Sequence, residues 1–323
     1  MLKYIIKRLL LSALILIGVS FLVYVLIRCM PTDYAEQKIA SMNQNQAVSE
    51  EMKEQIYESY GLNDGIIDGY MNWLGKLCKF DLGNRFSNNR PVVSEIKDHM
   101  GISFIIAFIA TVFEFMIAIP LGITAATHQY SIRDYVVTVF VMIGISLPSF
   151  FFGQVLQSIA PALGLPTAGF GNASTSNTGF AKLIEYVPYL LLPIFLVVVL
   201  SIGGRMRMTR TNMLEVMNSD YIRTARAKGL SERKVIYKHA FRNTLIPLVT
   251  SLAGLLPTLF SGAIITEQIF GLPGIGNIAL AATLSGDIPF IMGYNMFLAL
   301  LSILGVLFSD IMYAIVDPRV KLS

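Results

Sequence analysis

Six apolar runs alternate with polar segments along this chain of 323 residues. They cover 9–27, 102–127, 135–159, 187–202, 245–266 and 291–316, and most are long enough for a helix to cross the roughly 30 Å of bilayer hydrocarbon. The pattern predicts an all-α, polytopic membrane protein with six transmembrane helices. Lys3, Lys7 and Arg8 precede the first run, and no A-x-A-like cleavage site follows it, so it reads as an uncleaved span rather than a signal peptide. Its N-terminus is expected in the cytoplasm.

The polar segments alternate in charge as well. Between 31 and 98 acids outnumber Lys and Arg eleven to seven, as expected outside a membrane whose cytoplasmic loops hold the cations. Within it, 50–62 reads as a short amphipathic helix closed by Gly61. A second helix is expected over 70–80, broken by Asp81-Leu82-Gly83. The two predict a small helical extracytoplasmic domain between spans one and two, with Trp73 near the lipid headgroups. The organisation expected is thus 1–30, N-terminus and first span; 31–98, extracytoplasmic domain; and 99–323, a five-helix core with a cytoplasmic loop at 204–244.

Polar residues inside the runs are the candidates for function. Glu114, in the second span with Pro120, should face protein or water and reads as a neutral or paired structural carboxyl or a site on a pathway. Gln154 and Gln157 share a face of the third span, beyond Pro148, either lining a substrate path or bonding a neighbouring helix. The segment 161–186 is rich in turn residues and expected outside. The fourth span is short and carries Pro188 and Pro193. Gly254, Pro257 and Gly262 mark bends in the fifth, and 267–290 lies outside. Asp310, near the cytoplasmic end of the sixth, expects a basic partner.

From Arg205 to Arg242 the chain holds ten Lys and Arg residues against Glu215, Asp220 and Glu232. Such a segment between two spans must lie in water, and its cation excess puts it in the cytoplasm, as are both termini. Its local signals read helix, turn, helix. Ser219 caps the first helix with Asp220 in its first turn, Gly229 stops it, Ser231 caps the second with Glu232, and Pro247 marks re-entry into the bilayer. Ala225 and Gly229, four apart, share a face that another protein could cover closely.

Composition agrees with lipid burial. The chain is 54% hydrophobic and 14% charged with a mean hydropathy of +0.62, against about 25% charged in soluble domains. The net charge of +4 sits in the cytoplasmic segments and needs no nucleic acid to explain it. Cys29 and Cys78 have no metal spacing. No phosphate-cradling G-x-x-x-x-G-K-[ST] occurs. His99, His128 and His239 form no H-E-x-x-H, and none lies where it could activate Ser146 in the bilayer. Gly274-Ile-Gly276 reads as a turn. What remains is a membrane protein without catalytic apparatus or cofactor: a transporter powered by another chain, a channel, or a carrier driven by an ion gradient with Glu114 as its ion site.

Three stretches carry a resemblance. TyrIleArgThrAlaArgAlaLysGlyLeu at 221–230 with HisAlaPheArgAsnThrLeuIlePro at 239–247 resembles the cytoplasmic loop of ABC-importer permeases of the peptide type. GluGlnIlePheGlyLeuProGlyIleGly at 267–276 is similar to the segment after the fifth span of that family, and AspProArgValLys at 317–321 to its closing motif. LysArgLeu at 7–9 and ArgCysMetPro at 28–31 fit as well. Arg223, Thr224 and Ala225 stand where the general loop motif has Glu-Ala-Ala, and Thr32 where Gly is common. The resemblance, to the oligopeptide/dipeptide permease family and its B-type subunit, implies a type I ABC-importer architecture. It implies that the helix at 220–229, with Tyr221, Arg223, Thr224, Ala225, Arg226, Ala227, Lys228 and Gly229, docks a cytoplasmic ATPase. The implied partners are a second permease, two ATP-binding subunits that carry ATP and magnesium, and an extracytoplasmic peptide-binding protein. Oligopeptides are the implied cargo, with dipeptides, nickel chelates and glutathione as alternatives.

Overall fold

In a computed structural model, residues 2–30, 34–43, 49–170 and 180–316 are described. The turn-rich run 172–179, the stretch 31–33 and the closing motif 317–321 lie outside them. The described residues form α1 (Leu2–Arg28), α2 (Tyr34–Asn43), α3 (Glu50–Ser59), α4 (Ile66–Leu77), α5 (Val92–Thr127), α6 (Ile132–Ser146), α7 (Ser149–Ile159) and α8 (Phe180–Met217). Then follow α9 (Asp220–Ala227), α10 (Glu232–Lys234), a π-helical turn (Val235–Ala240), α11 (Phe241–Thr250), a 3-10 turn (Ser251–Gly254), α12 (Leu255–Phe260), α13 (Ile264–Ile269), α14 (Ile275–Ser285) and α15 (Ile288–Val316).

Among the described residues, five stretches are long and apolar enough to cross a membrane, and the bent pair α6–α7, taken as one span, makes a sixth. The third span is therefore not the continuous helix expected over 135–159. Its halves meet at 94°. The cause is local: Pro148 crowds the residue before it out of the helical region, and Leu147 is extended at φ −78°, ψ 126°. The fourth span differs in the opposite sense. It does not end at Ile202, where the charges begin, but continues as helix to Met217. Arg205, Arg207 and Arg210 thus stand on a span-bearing helix rather than in a loop. Pro120, Pro188, Pro193 and Pro247 all lie within helices.

Apolar burial cannot drive helix association in lipid, so close approach of backbones must hold the bundle. Small residues supply it. A Cβ on Gly122 of α5 would lie 2.7 Å from Thr209 Cβ and 2.8 Å from the Met206 carbonyl oxygen of α8. A Cβ on Gly144 of α6 would lie 2.8 Å from the Val199 carbonyl oxygen. The α5–α8 pair is the spine, with α6 against α8 and α15 against the segment 251–260. At the far end of α1 from its N-terminus, Tyr70 and Trp73 of α4, Val92 and Ile96 of α5, and Ile275, Phe290 and Met292 form one core with Tyr24 and Ile27.

Helix α3 is capped by Ser49, whose Oγ accepts from Met52 N, and it closes at Gly61 with φ +64°. The second helix starts earlier than expected, at Ile66. Trp73 is not presented to lipid: it is 9% exposed and packed beside Tyr70 in that core. Cys29 and Cys78 are exposed free thiols. A polar lattice ties the chain after α4 to the rest. Arg85 donates to Asp287 Oδ2 and Glu95 Oε2, both at 3.1 Å, and the Phe86 amide donates to Asp287 Oδ1 at 3.0 Å. Asp98 and Glu95 beside Arg90 hold its guanidinium above its ordinary pKa.

Candidate functional site

Helix α9 starts as the sequence predicts, but not by the expected cap. Ser219 has the extended N-cap backbone, φ −74° and ψ 152°, and its carbonyl receives the Ile222 and Arg223 amides. Its hydroxyl instead donates back to the Val216 carbonyl at 2.5 Å. Ser231 likewise lacks a side-chain cap bond. The stop is as expected: Gly229 is left-handed at φ +73°, and the Gly229 and Leu230 amides return to the Arg226 and Ala225 carbonyls. Arg226 Nε donates across the turn to Glu232 Oε1 at 2.8 Å.

Two side chains pin α9 to the bundle. Ile222 is 0% exposed and Ala225 7%. They pack with Ile123 and Ala126 at the end of α5, Met213 at the end of α8, and Val235 and Ala240 of the π turn. This corrects the expectation of a shared open face. Ala225 faces the chain's own helices, whereas Gly229 is exposed and a Cβ there would meet nothing within 4 Å. The outward surface consists of Tyr221, Arg223, Thr224, Arg226, Ala227, Lys228 and Gly229, continued by Arg233, Lys234 and Lys238. Tyr221 is held by Asn243, whose Nδ2 donates to the phenol oxygen at 2.9 Å. The second helix is a single turn, α10, followed by the π turn and α11, so this loop feeds directly into the fifth span.

Inside the bundle, Glu114 Oε1 accepts from Arg205 Nε at 2.9 Å, and Arg205 also donates to Ser251 Oγ at 2.7 Å and lies 4.4 Å from the Phe115 ring centroid. One guanidinium therefore joins α5, α8 and the turn at 251–254. Asp134 takes both Nε and Nη2 of Arg210, at 2.9 and 2.8 Å, joining α6 to α8. Asp310 pairs with Arg8. Gln157 Nε2 donates to the Thr167 and Ile269 carbonyls, both at 2.9 Å, bonding α7 to α13. Gln154, one turn back, is exposed. The structure thus does not bring Glu114, Gln154 and Gln157 together.

Sequence reasoning passed over Glu267. It is 0% exposed. Its Oε1 accepts from Ser103 Oγ at 2.6 Å and the Ala263 amide at 3.1 Å, and its Oε2 from the Asn277 amide at 2.8 Å. The signal available was an acid followed by three glycines in GluGlnIlePheGlyLeuProGlyIleGly.

A broken third span and a basic helix pinned across the ends of membrane-crossing helices describe a polytopic membrane protein. The chain belongs to the family of binding-protein-dependent transport system inner membrane components: residues 118–322 match that family's model, and 1–107 match the model of its N-terminal region. It is therefore a multi-pass inner-membrane permease component of an ATP-driven importer. It is 36% identical to the oligopeptide transport system permease protein AppB of Bacillus subtilis, over 99% of this chain and 100% of that protein. It is 34% identical to the dipeptide transport system permease protein DppB of Alkalihalophilus pseudofirmus, with the same two coverages. The DppB of Escherichia coli is 31% identical over 99% of each. Among solved structures, an inward-facing MetNI methionine ABC transporter chain is similar in fold, with a TM-score of 0.52 and 18% identity over 70% of this chain and 97% of that one.

Proposed function

We propose that this permease imports peptides and forms half of the translocation path beside a second, homologous permease. Two cytoplasmic ATPase subunits, which bind ATP and magnesium, dock on α9, and an extracytoplasmic binding protein delivers the cargo. Both termini lie in the cytoplasm. Oligopeptides are the first cargo and dipeptides the second, because the relatives named for these two substrates span the whole chain at 36% and 34% identity.

The observation that carries the mechanism is the division of α9 into two faces. One face is exposed and basic, suited to a groove on another protein. The other, Ile222 and Ala225, is buried against the ends of α5 and α8 and the start of the fifth span. A push on the outer face is delivered to three spans at once, since a close-packed contact transmits displacement instead of absorbing it. Closure of the ATPases on ATP would shift both coupling helices and turn the path from inward-facing to outward-facing. Glu114, the residue an ion-gradient carrier would use, is instead paired with Arg205.

Gly229→Glu tests the docking. No atom of this chain obstructs a side chain there, so the variant meets only the left-handed backbone penalty of about 1–2 kcal/mol. The expected result is an assembled permease that still receives its binding protein but loses uptake, measured as labelled peptide accumulated by cells or proteoliposomes. Full uptake by Gly229→Glu would remove α9 from the ATPase interface.

A further inference from the structure

Displacement of α9 reaches the rest of the molecule through the fifth span, into which its loop feeds. That span is not one stiff rod. It passes from the π turn through α11, a 3-10 turn and α12 to an elbow at Ser261–Ala263, where Gly262 is left-handed at φ +74°. An unsupported elbow would dissipate any displacement arriving from α9.

The elbow is fastened from two sides. From α15, buried Tyr294 donates its hydroxyl to the Ser261 carbonyl at 2.6 Å. From α13, Glu267 reaches back to the Ala263 amide. The same carboxylate takes the Asn277 amide in the first turn of α14 and the hydroxyl of Ser103 on α5. Ser103 Oγ in turn accepts from the Ile275 amide at 2.9 Å, completing the start of α14. One carboxylate thus closes the start of α13, the start of α14 and a contact with the second span. The bonds to its carboxylate come from two backbone amides and a hydroxyl.

The glycines of the motif follow from this. A Cβ on Gly274 would overlap the carboxylate, one on Gly276 would lie 2.9 Å from Oε2, and one on Gly262 would lie 2.9 Å from Oε1. The three hydrogens are the cage wall.

We propose that Glu267 is a positioning residue for transport, locking the elbow after α12, α14 and the second span into one body so that displacement of the fifth span by α9 moves the opposite end as a unit. This rests on the docking of ATPases at α9 proposed above. The carboxylate acts through the backbone amides it holds and touches no cargo.

The test uses the full transporter with Cys29 and Cys78 replaced by Ser, and spin labels at Val112 on α5 and Ile265 on α13, which are 41% and 47% exposed. With Glu267 intact, the label distance should be narrow and equal in nucleotide-free and ATP-bound states. In Glu267→Gln, whose amide group must turn a donor toward at least one of the three donors, the distribution should broaden. Uptake should fall at least tenfold while basal ATP hydrolysis persists. Gly274→Ala should reproduce the defect, and Gly254→Ala, where a Cβ meets nothing within 4 Å, should not. If Glu267→Gln fails to assemble, Ser103→Ala carries the test, since it removes one donor and leaves the carboxylate in place. An assembled Ser103→Ala protein with a native label distance and full uptake would overturn the proposal, as would a distance that changes with ATP while Glu267 is intact. The label distance does not depend on cargo, so an intact lock in a protein that moves no peptide would count against the proposed function alone.

Discussion

Arg205 shows how a single side chain can organise a bundle in lipid. Its guanidinium joins Glu114, Ser251 and the Phe115 ring, at the meeting of three elements. Removing one member of a buried ion pair leaves the other charge uncompensated and costs about 3–5 kcal/mol, whereas replacing both is often near neutral. Arg205→Met alone should therefore destabilise the purified permease by that amount in thermal unfolding. Glu114→Gln with Arg205→Met should recover more than half of the loss. Simple addition of the two single losses would mean that the pair is not coupled. The sequence marked Glu114 as a carboxyl to be neutral or paired but could not name Arg205 as its partner, because Arg205 read as part of a solvated loop. Trp73 misled for a related reason: an aromatic next to a membrane has the composition of an interfacial residue, and only packing with Tyr70 and its neighbours buries it. Glu267 was hidden because its partners are mostly backbone amides, which no side-chain pattern announces.

At the scale of elements, glycine spacing decides which helices touch. The α5–α8 crossing depends on Gly122 against Thr209 and Met206. Gly122→Leu forces side-chain atoms into backbone, and overpacking of this kind typically costs 1–3 kcal/mol. The expected outcome is a lower yield of assembled complex and a lower unfolding temperature, checked by size-exclusion chromatography and thermal unfolding; an unchanged complex would mean that the crossing can slide. The long helices were legible from periodicity and length, as were the stop at Gly229 and the closure at Gly61, but α2 and α14 were not: Gly274-Ile-Gly276 read as a turn and instead opens α14. Two limits were not legible either. The fourth span continues past Ile202 because Asp134 and Glu114 receive its arginines, a tertiary effect. The third span was read as continuous although Pro148 signalled its break; what a proline in the sequence does not give is the 94° angle between the halves.

Across the whole molecule, the fifth span joins two fastened ends. At one, Ile222 and Ala225 bind α9 to the second, fourth and fifth spans. At the other, Glu267 and Tyr294 hold the elbow where the fifth span leaves for α14 and α15. The most direct measurement is cross-linking from the outer face of α9. With Cys29 and Cys78 replaced by Ser, Ala227→Cys, exposed and away from the pinned face, is treated with a short maleimide–succinimidyl ester cross-linker, which joins the thiol to a lysine of a neighbouring chain, in membranes containing the complete transporter. The account predicts an adduct with the ATP-binding subunit whose yield changes when ATP binds. A cysteine at 227 that reacts only with reagents added from outside the cell, or that gives no ATPase adduct in a transporter taking up peptide normally, would contradict it.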